Sequence, residues 1–475
     1  MYLICFVLTA FFWGVPFQSL GAPKVDTAHR ATLLMIYQLA VEQDAQLSAA
    51  RHAFQASREA VPQARAGLLP SLSAGATSEK TRLDRDQPNL VRERSGLVFQ
   101  ARLTQPLFRL DRWYQLMAAE SAADQAELEL AAQEQELILN SAKVYLETLK
   151  ALDQLSASQA EETALDGQRT QAEARLKDGV SSITDVLDAQ AAFDMAHANR
   201  KLAEQKVEDA YEAIYRLTQV AFSAIDGMDH GLAVAPPEPF DPQAWTEMAS
   251  VQNLRLQASA HAVTAAERTY ARSRAGHLPT LDAVASYRKG DNDSFGYSNP
   301  TDFGLSQYQG NVAQGSVGLE LNIPIYSGGS VSSQVRESSE RLLQSRDEFE
   351  DARREIVQRT RNAFRAVTSN VVQVAARLQT IRSSAESLKA NRVGLDLGTR
   401  NTGDVLDAQR QLYAAVRDYN DARYDYILET LTLKLNAGTL SPEDLQALAA
   451  FSKQGYDPSR DFLPSDVGPL DARGR

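Results

Sequence analysis

The sequence predicts a mostly α chain with a β-barrel contribution, built as two tandem repeats, each a pair of β-strands attached to very long antiparallel coiled-coil helices. Three observations predict it. The hexapeptide Asp-Val-Leu-Asp-Ala-Gln occurs at 185–190 and again at 404–409 in a chain of 475 residues. Proline is absent between Pro106 and Pro236 and again between Pro324 and Pro442. Stretches of strand length that alternate apolar and polar residues precede each proline-free run.

The duplication extends beyond the hexapeptide. Arg65-Ala66-Gly67-Leu68-Leu69-Pro70-Ser71-Leu72 is matched by Arg274-Ala275-Gly276-His277-Leu278-Pro279-Thr280-Leu281, and Leu103-x-x-Pro106-Leu107-Phe108 by Leu321-x-x-Pro324-Ile325-Tyr326. With Gly179 and Gly398 the offsets are 209, 218, 219 and 219 residues, one layout used twice. A repeat this long is two copies of one architectural unit, not a solenoid.

The chain opens on an apolar run, Tyr2 to Phe17, followed by Ser19, Gly21 and Ala22. That order reads as a secretory signal peptide over 1–22, with a buried N-terminal helix as the other reading. No Lys or Arg precedes the run, so the true start is expected upstream. Cys5, the only cysteine, falls inside it, leaving the mature chain no disulfide, thiolate metal site or lipid anchor.

The first repeat is placed at 23–227. It begins with a helix over about 30–66, which Pro62 should kink. A strand pair follows within 68–108, where Leu97, Phe99, Ala101 and Leu103 alternate with Gln100, Arg102 and Thr104. A helical rod over 107–177 would then run roughly 105 Å at 1.5 Å per residue. Ala, Leu, Glu, Gln, Arg and Lys, the strong helix formers, fill it. The tip lies near Gly179, whose residue type suits a left-handed helix end, and the return helix covers about 184–219.

A linker at 228–244 leads to the second repeat at 245–451. It has a helix over 245–275, a strand pair within 278–326, an outgoing rod over 330–397, a tip near Gly398 and a return over 404–436. Val317, Leu319, Leu321 and Ile323 alternate with Ser316, Gly318, Glu320 and Asn322, and Leu281, Ala283, Ala285 and Tyr287 follow the same period. Polar loops at 81–95 and 289–314 are expected to join strands of about ten residues. The return rods are half as long as the outgoing ones, so the helices preceding each Leu-Pro landmark are expected to stack end to end with them. The tail, 452–475, is rich in Asp, Pro, Gly and Arg and reads as disordered.

Four amphipathic strands of barrel length cannot close a barrel, which takes about eight or more. Copies must therefore pool strands: two would give eight, three twelve. Hydrophobic content of 44% and a mean hydropathy of -0.34 exclude a helical membrane protein. A net charge of -12 and a pI near 5.2 argue against a nucleic-acid partner. Six scattered histidines show no metal-ligand spacing, and no phosphate loop or nucleophile elbow is present. No catalytic residue, metal site or cofactor is assigned, and the chain does not read as an enzyme.

From about Leu33 to Leu448 the sequence resembles the TolC-type outer-membrane efflux and secretion channels of Gram-negative bacteria. The resemblance rests on the paired Leu-Pro and Pro-Leu/Ile-Phe/Tyr landmarks, Ser327-Gly328-Gly329, Gly398-Thr399-Arg400 leading to Asp404-Val405-Leu406-Asp407-Ala408, and Asn436-Ala437-Gly438-Thr439-Leu440. It implies a homotrimer whose twelve strands form one barrel in outer-membrane lipid and whose helices continue as a periplasmic tunnel. It also implies a periplasmic adaptor and an inner-membrane pump or ABC transporter as partners. In that likeness Asp404 and Asp407 are the pore gate. Arg400 is the tip latch toward Thr184 and Asp185, and Gly179, Val180, Ser181, Gly398 and Thr399 lie at the adaptor-docking tips. The plainer readings are that Asp404 only caps a helix, that Asp407 is solvated and that the glycines only end helices. Leu395 stands where studied members place a tyrosine, which removes a second polar lock from the implied closed state. A periplasmic adaptor or coiled-coil scaffold protein is the alternative class, but it would need only one hairpin.

Overall fold

The computed structural model describes residues 30–86, 89–291 and 311–462. The leader read over 1–22, most of the 289–314 connection and the tail beyond 462 lie outside the described residues.

The opening helix is two helices. Thr32 caps α1 (Leu33–Gln43), accepting from Met35 N at 3.2 Å. Asp44 then turns extended (φ -67°, ψ 117°), and its carboxylate caps α2 (Ala45–Ala66) through Leu47 N. Pro62 is accommodated inside α2. The second repeat breaks at the equivalent place: α5 (Pro242–Gln252) ends where Asn253 caps α6 (Leu254–Ala275) through Leu256 N. The expected single helices over 30–66 and 245–275 are thus corrected. A short Asx side chain with extended backbone satisfies the next helix's exposed N–H and forces the joint.

The strands are longer than expected. β1 (Ser71–Asp86) and β2 (Asn89–Phe108) run through the polar segment read as a loop at 81–95. Their cross-strand pairs extend out to Asp86 opposite Asn89, because backbone pairing needs no apolar face. β4 (Thr280–Asp291) and β5 (Asn311–Asn322) have 12 residues each. All four join in one antiparallel sheet of order β1-β2-β4-β5.

Below the sheet stand two hairpins. α3 (Leu110–Lys177, 68 residues) turns into α4 (Ile183–Thr218, 36 residues), and α7 (Ser330–Asp396, 67 residues) into α8 (Thr402–Ala437, 36 residues). Buried residues of α7 fall seven apart at Thr360, Val367, Val374, Ile381 and Leu388, the spacing that wraps one helix around another. α8 answers with Val405, Ala408, Leu412, Ala415 and Tyr419, spaced by three and four. α2 and α6 pack on α3, and α6 and α5 on α7, covering what the short return helices leave bare.

Where the repeats join, segments remote in sequence meet on α3 and α8. β3 (Gly227–Met228) pairs with β6 (Ser452–Lys453), and Arg30 Nη2 donates to the Tyr456 carbonyl at 2.6 Å. Beneath them Asp153, 1% exposed, accepts from the Tyr424 hydroxyl at 2.8 Å and from the Tyr456 hydroxyl. Arg423, 2% exposed, donates to His230 Nδ1, while His230 Nε2 contacts the Asp461 carbonyl at 2.9 Å. A Cβ on Gly227 would fall 2.1 Å from the Tyr456 ring, so only glycine lets that ring approach the backbone so closely. The start of the tail is therefore ordered, contrary to the expectation over 452–475. Beyond α9 (Pro442–Ala449), Tyr456 and Phe462 are buried anchors, flanking the short α10 (Pro458–Asp461), in a segment whose polar composition masked them.

Burial raises the Asp153 carboxyl to about 6 against the hydrogen bonds and the nearby Arg423, whereas burial and Arg423 lower His230 to about 4. A carboxyl raised above its free value of 3.8 contributes stability below that value and loses it as pH rises through about 6. An imidazole lowered from 6.5 contributes above that value and loses it as pH falls through about 4. The two slopes oppose each other. In urea titrations across this interval, Asp153→Asn is expected to be more acid-sensitive than wild type and His230→Gln less so; identical slopes in all three proteins would exclude this titration.

Candidate functional site

The candidate site has two parts, the helical tips and the sheet. At the first tip Gly179 takes φ +76°, and Gly179 N and Val180 N donate to Leu176 O and Arg175 O at 3.0 and 2.9 Å, closing the helix end. At the second, Gly398 takes φ +74°, and Gly398 N and Thr399 N donate to Leu395 O and Gly394 O at 3.2 and 2.8 Å. Thr184 and Ser182 are exposed, and Val180 and Leu397 hold their side chains in the open.

Each return helix starts with a reciprocal cap. Ser182 Oγ accepts from Asp185 N at 3.2 Å, and the Asp185 carboxylate accepts from Ser182 N at 2.9 Å and Ser181 Oγ at 2.7 Å. Ser181 and the Ser182 backbone hold the Asp185 carboxyl below its usual range. Asn401 and Asp404 repeat the arrangement, at 2.8 Å from Asp404 N and 3.1 Å from Asn401 N. The Asp404 carboxylate thus caps the start of its helix. It also lies 3.9 Å from Arg400 Nη1, while the exposed Asp407 lies 3.3 Å from Arg410. Arg400 thus pairs within its own helix start, and the expected pairing with Thr184 and Asp185 is not made inside one chain. The sequence reading missed an ion pair between the hairpins, Arg175 to Asp396 at 3.2 Å. Two opposite charges 221 residues apart carry no local pattern that would announce it.

The sheet has two distinct faces. In register across it, Leu72, Leu103, Ala285 and Val317 lie on one face, continued by Ala101, Tyr287, Leu281 and Leu321. This face is bare: Leu72 is 75% exposed and Val317 88%. The opposite face carries Ser73, Arg102, Ser286 and Glu320; Arg102 pairs with Glu320 at 3.1 Å, and Ser286 bonds Ser316 at 2.7 Å. β1 and β5 are the two edges of this sheet. Among the described residues no helix is long and apolar enough to cross a membrane, and no group of His, Cys, Asp and Glu could hold a metal ion.

A sequence profile described as outer membrane efflux protein matches residues 36–219 and 245–439. The chain belongs to the outer membrane efflux protein family. It is 33% identical to the outer membrane protein TolC of Vibrio cholerae over 418 residues, 88% of this chain and 93% of that protein. Over 446 residues it is 28% identical to the alkaline protease secretion protein AprF of Pseudomonas aeruginosa, 92% and 90% of the two chains. Solved structures share the fold: CusC at a TM-score of 0.74 and 18% identity, covering 86% of this chain and 92% of that one. VceC of Vibrio cholerae gives 0.73 at 14%, covering 86% and 96%. The chain is accordingly an outer-membrane channel with a helical part that extends into the periplasm, and not an enzyme. Two hairpins and a four-stranded sheet set aside the adaptor or scaffold alternative.

Nothing lies within 4 Å of a Cβ added at Gly179 or Gly398, so backbone strain alone opposes a side chain there. Gly179→Ala and Gly398→Ala are each expected to cost about 1 kcal/mol locally. Faster amide exchange at the affected tip, with the rest of the hairpin unchanged, is the readout; unaltered tip exchange would contradict the turn geometry.

Proposed function

We propose that three copies form a passive exit duct of a tripartite efflux or type I secretion system, opening at an Asp-lined periplasmic entrance. The observation that carries this is the sheet: a bare apolar face, a polar face with a charge pair, and two unpaired edges, standing on helices of about 100 Å. Twelve pooled strands put the apolar face toward outer-membrane lipid and the Arg102–Glu320 face toward water. The hairpins then surround one axis. Asp404 and Asp407, a turn apart, make two rings of three carboxylates at the narrow end, which attract cations and can be bridged by a polyvalent one. Because Arg400 does not meet Thr184 or Asp185 within a chain, that latch is read as a contact from one copy to the next. Val180, Ser181 and Thr399, beside the tip glycines, offer backbone and small side chains to the hairpin of a periplasmic adaptor, and an inner-membrane transporter supplies the energy. The names of AprF and of PrtF, a proteases secretion protein, favour protein secretion as one use of this scaffold.

In planar bilayers the purified protein is expected to give discrete, cation-selective steps that divalent or trivalent cations block from one side. A protein that never enters bilayers would sink the channel reading. Asp404→Asn with Asp407→Asn keeps a cap acceptor and removes the charges, so block should vanish while steps persist. Block of unchanged strength would refute the carboxylate rings.

A further inference from the structure

We propose that the junction between the sheet and the helices is a binding surface for the head groups of anionic phospholipids, engaged by Arg65, Arg272 and Arg274. This rests on the placement of the sheet in lipid proposed above and adds a ligand class to it. The four junctions, residues 62–70, 109–115, 271–282 and 323–335, hold five arginines against two carboxylates, in a chain whose net charge is -12. Both carboxylates are used by one arginine: Arg109 reaches Asp111 at 3.3 Å and Asp282 at 3.1 Å. Arg65 stands in the last turn of α2, and Arg272 and Arg274 in the last turn of α6, all three exposed. Among the described residues Arg65 and Arg272 have no hydrogen-bond or ion-pair partner, and Arg274 makes only a ring contact, 5.9 Å from the Tyr270 centroid. The duplication repeats the device, since the offset of 209 residues carries Arg65 onto Arg274.

Depth decides what these cations meet. The apolar face of the sheet ends at the junctions on large side chains left in the open: Phe108, in register with Leu281, is half-exposed, and Ile325 and Tyr326 are almost wholly so. Trp113 is half-exposed too. It stands two residues after Asp111, and residues two apart on a helix point about 200° apart. Trp113 therefore looks away from the polar face, to which Asp282 and its partner Arg109 belong. Aromatic rings so placed mark the level where hydrocarbon gives way to head groups, and arginine stems lie along apolar surface while the guanidinium stays among the phosphates. An arginine in the last turn of a helix also suits the dipole there, but Arg112 stands in the first turn of α3, where a cation is disfavoured. It crosses to the end of α2, with its Cδ 3.4 Å from a Cβ placed on Gly67. Helix ends of both polarities thus bring positive charge to one level beneath an apolar belt, and a negatively charged phosphodiester supplies the counter-charge.

The test is tryptophan fluorescence of the full-length protein in vesicles. Trp113 is the reporter, since Trp245 is buried, and Trp113→Phe supplies the background. Brominated phosphatidylglycerol and brominated phosphatidylcholine, each mixed into unbrominated phosphatidylcholine, quench the reporter in proportion to their share of the lipid around it. The wild type is expected to favour phosphatidylglycerol by about three- to tenfold at low salt and by less at high ionic strength. Arg65→Gln with Arg272→Gln and Arg274→Gln should bring the ratio close to one, whereas Arg58→Gln, two turns lower on α2, should leave it unchanged. Should the triple variant fail to assemble, Arg65→Gln alone is read in its place, with a smaller fall expected. Equal quenching of the wild type by both lipids, or a preference that survives loss of the three arginines, would overturn the head-group surface alone. Absence of quenching by either lipid would set Trp113 outside the bilayer and remove the placement of the sheet in lipid as well.

Discussion

Backbone amides and carbonyls cannot be left unpaired in hydrocarbon, and the rest of this structure depends on that constraint. The sheet of β1, β2, β4 and β5 satisfies its interior and leaves two edges open, with Leu72, Val317 and their neighbours exposed on one face. A single chain in a membrane would therefore hold a row of unsatisfied groups along each edge. Pooling strands removes both edges at once, and it dictates what lies below. In the proposed assembly, hairpins attached to a closed ring of strands are arranged around the same axis, which would make the long helices staves of a tunnel, not a solid bundle. Their buried seams are consistent with this, since the α7 heptads and the alanine-rich return helices pack a helix layer without filling a central core.

Duplication supplied the hairpins in pairs, and the two copies kept their local chemistry while their long-range contacts diverged. Ser182 with Asp185 and Asn401 with Asp404 form the same reciprocal cap, so the repeated Asp is first a device for starting a helix after a tight turn. Function is added on top. The first copy's tip helix ends basic and the second's ends acidic, and only the second copy places an arginine over a glycine two turns from its own cap. Capping depends on residues three apart and survives duplication unaltered. Contacts between the tips depend on residues more than 200 apart and can change independently.

This separation also explains what the sequence made legible. The hairpins, their tips near Gly179 and Gly398 and the four strands could be read because each rests on a local period or a single residue's backbone preference. The Asx joints at Asp44 and Asn253 went unread: neither glycine nor proline marks them, and an Asp or Asn inside a helical pattern is ordinarily tolerated. Strand ends past Lys80 were assigned to a loop because Arg, Asp and Glu crowd the sequence there, although pairing between backbones continued. The tail failed for a different reason. Its order comes from two aromatic anchors on a polar network, Tyr456 on Asp153 and Phe462 beside Asn420, and composition averages such anchors away. Of the candidate site, the capped helix starts were legible from the repeated Asp, and the contact of Arg400 with Asp404 was not, since which carboxylate it meets depends on side-chain reach at a turn.

The meeting of Arg30, Gly227 and Tyr456 at one level has a consequence for how such a chain could arise. The first repeat starts and finishes at this girdle, for Ala31 N bonds Ala224 O at 2.9 Å, and the second repeat also returns to it, with Ser452 and Lys453 beside Met228 and Gly227. Each half is thus a closed excursion, up to the membrane, down to the tip and back to its origin. Joining two such halves in one chain needs only a connector at a place where the ends adjoin, and no rerouting of any helix.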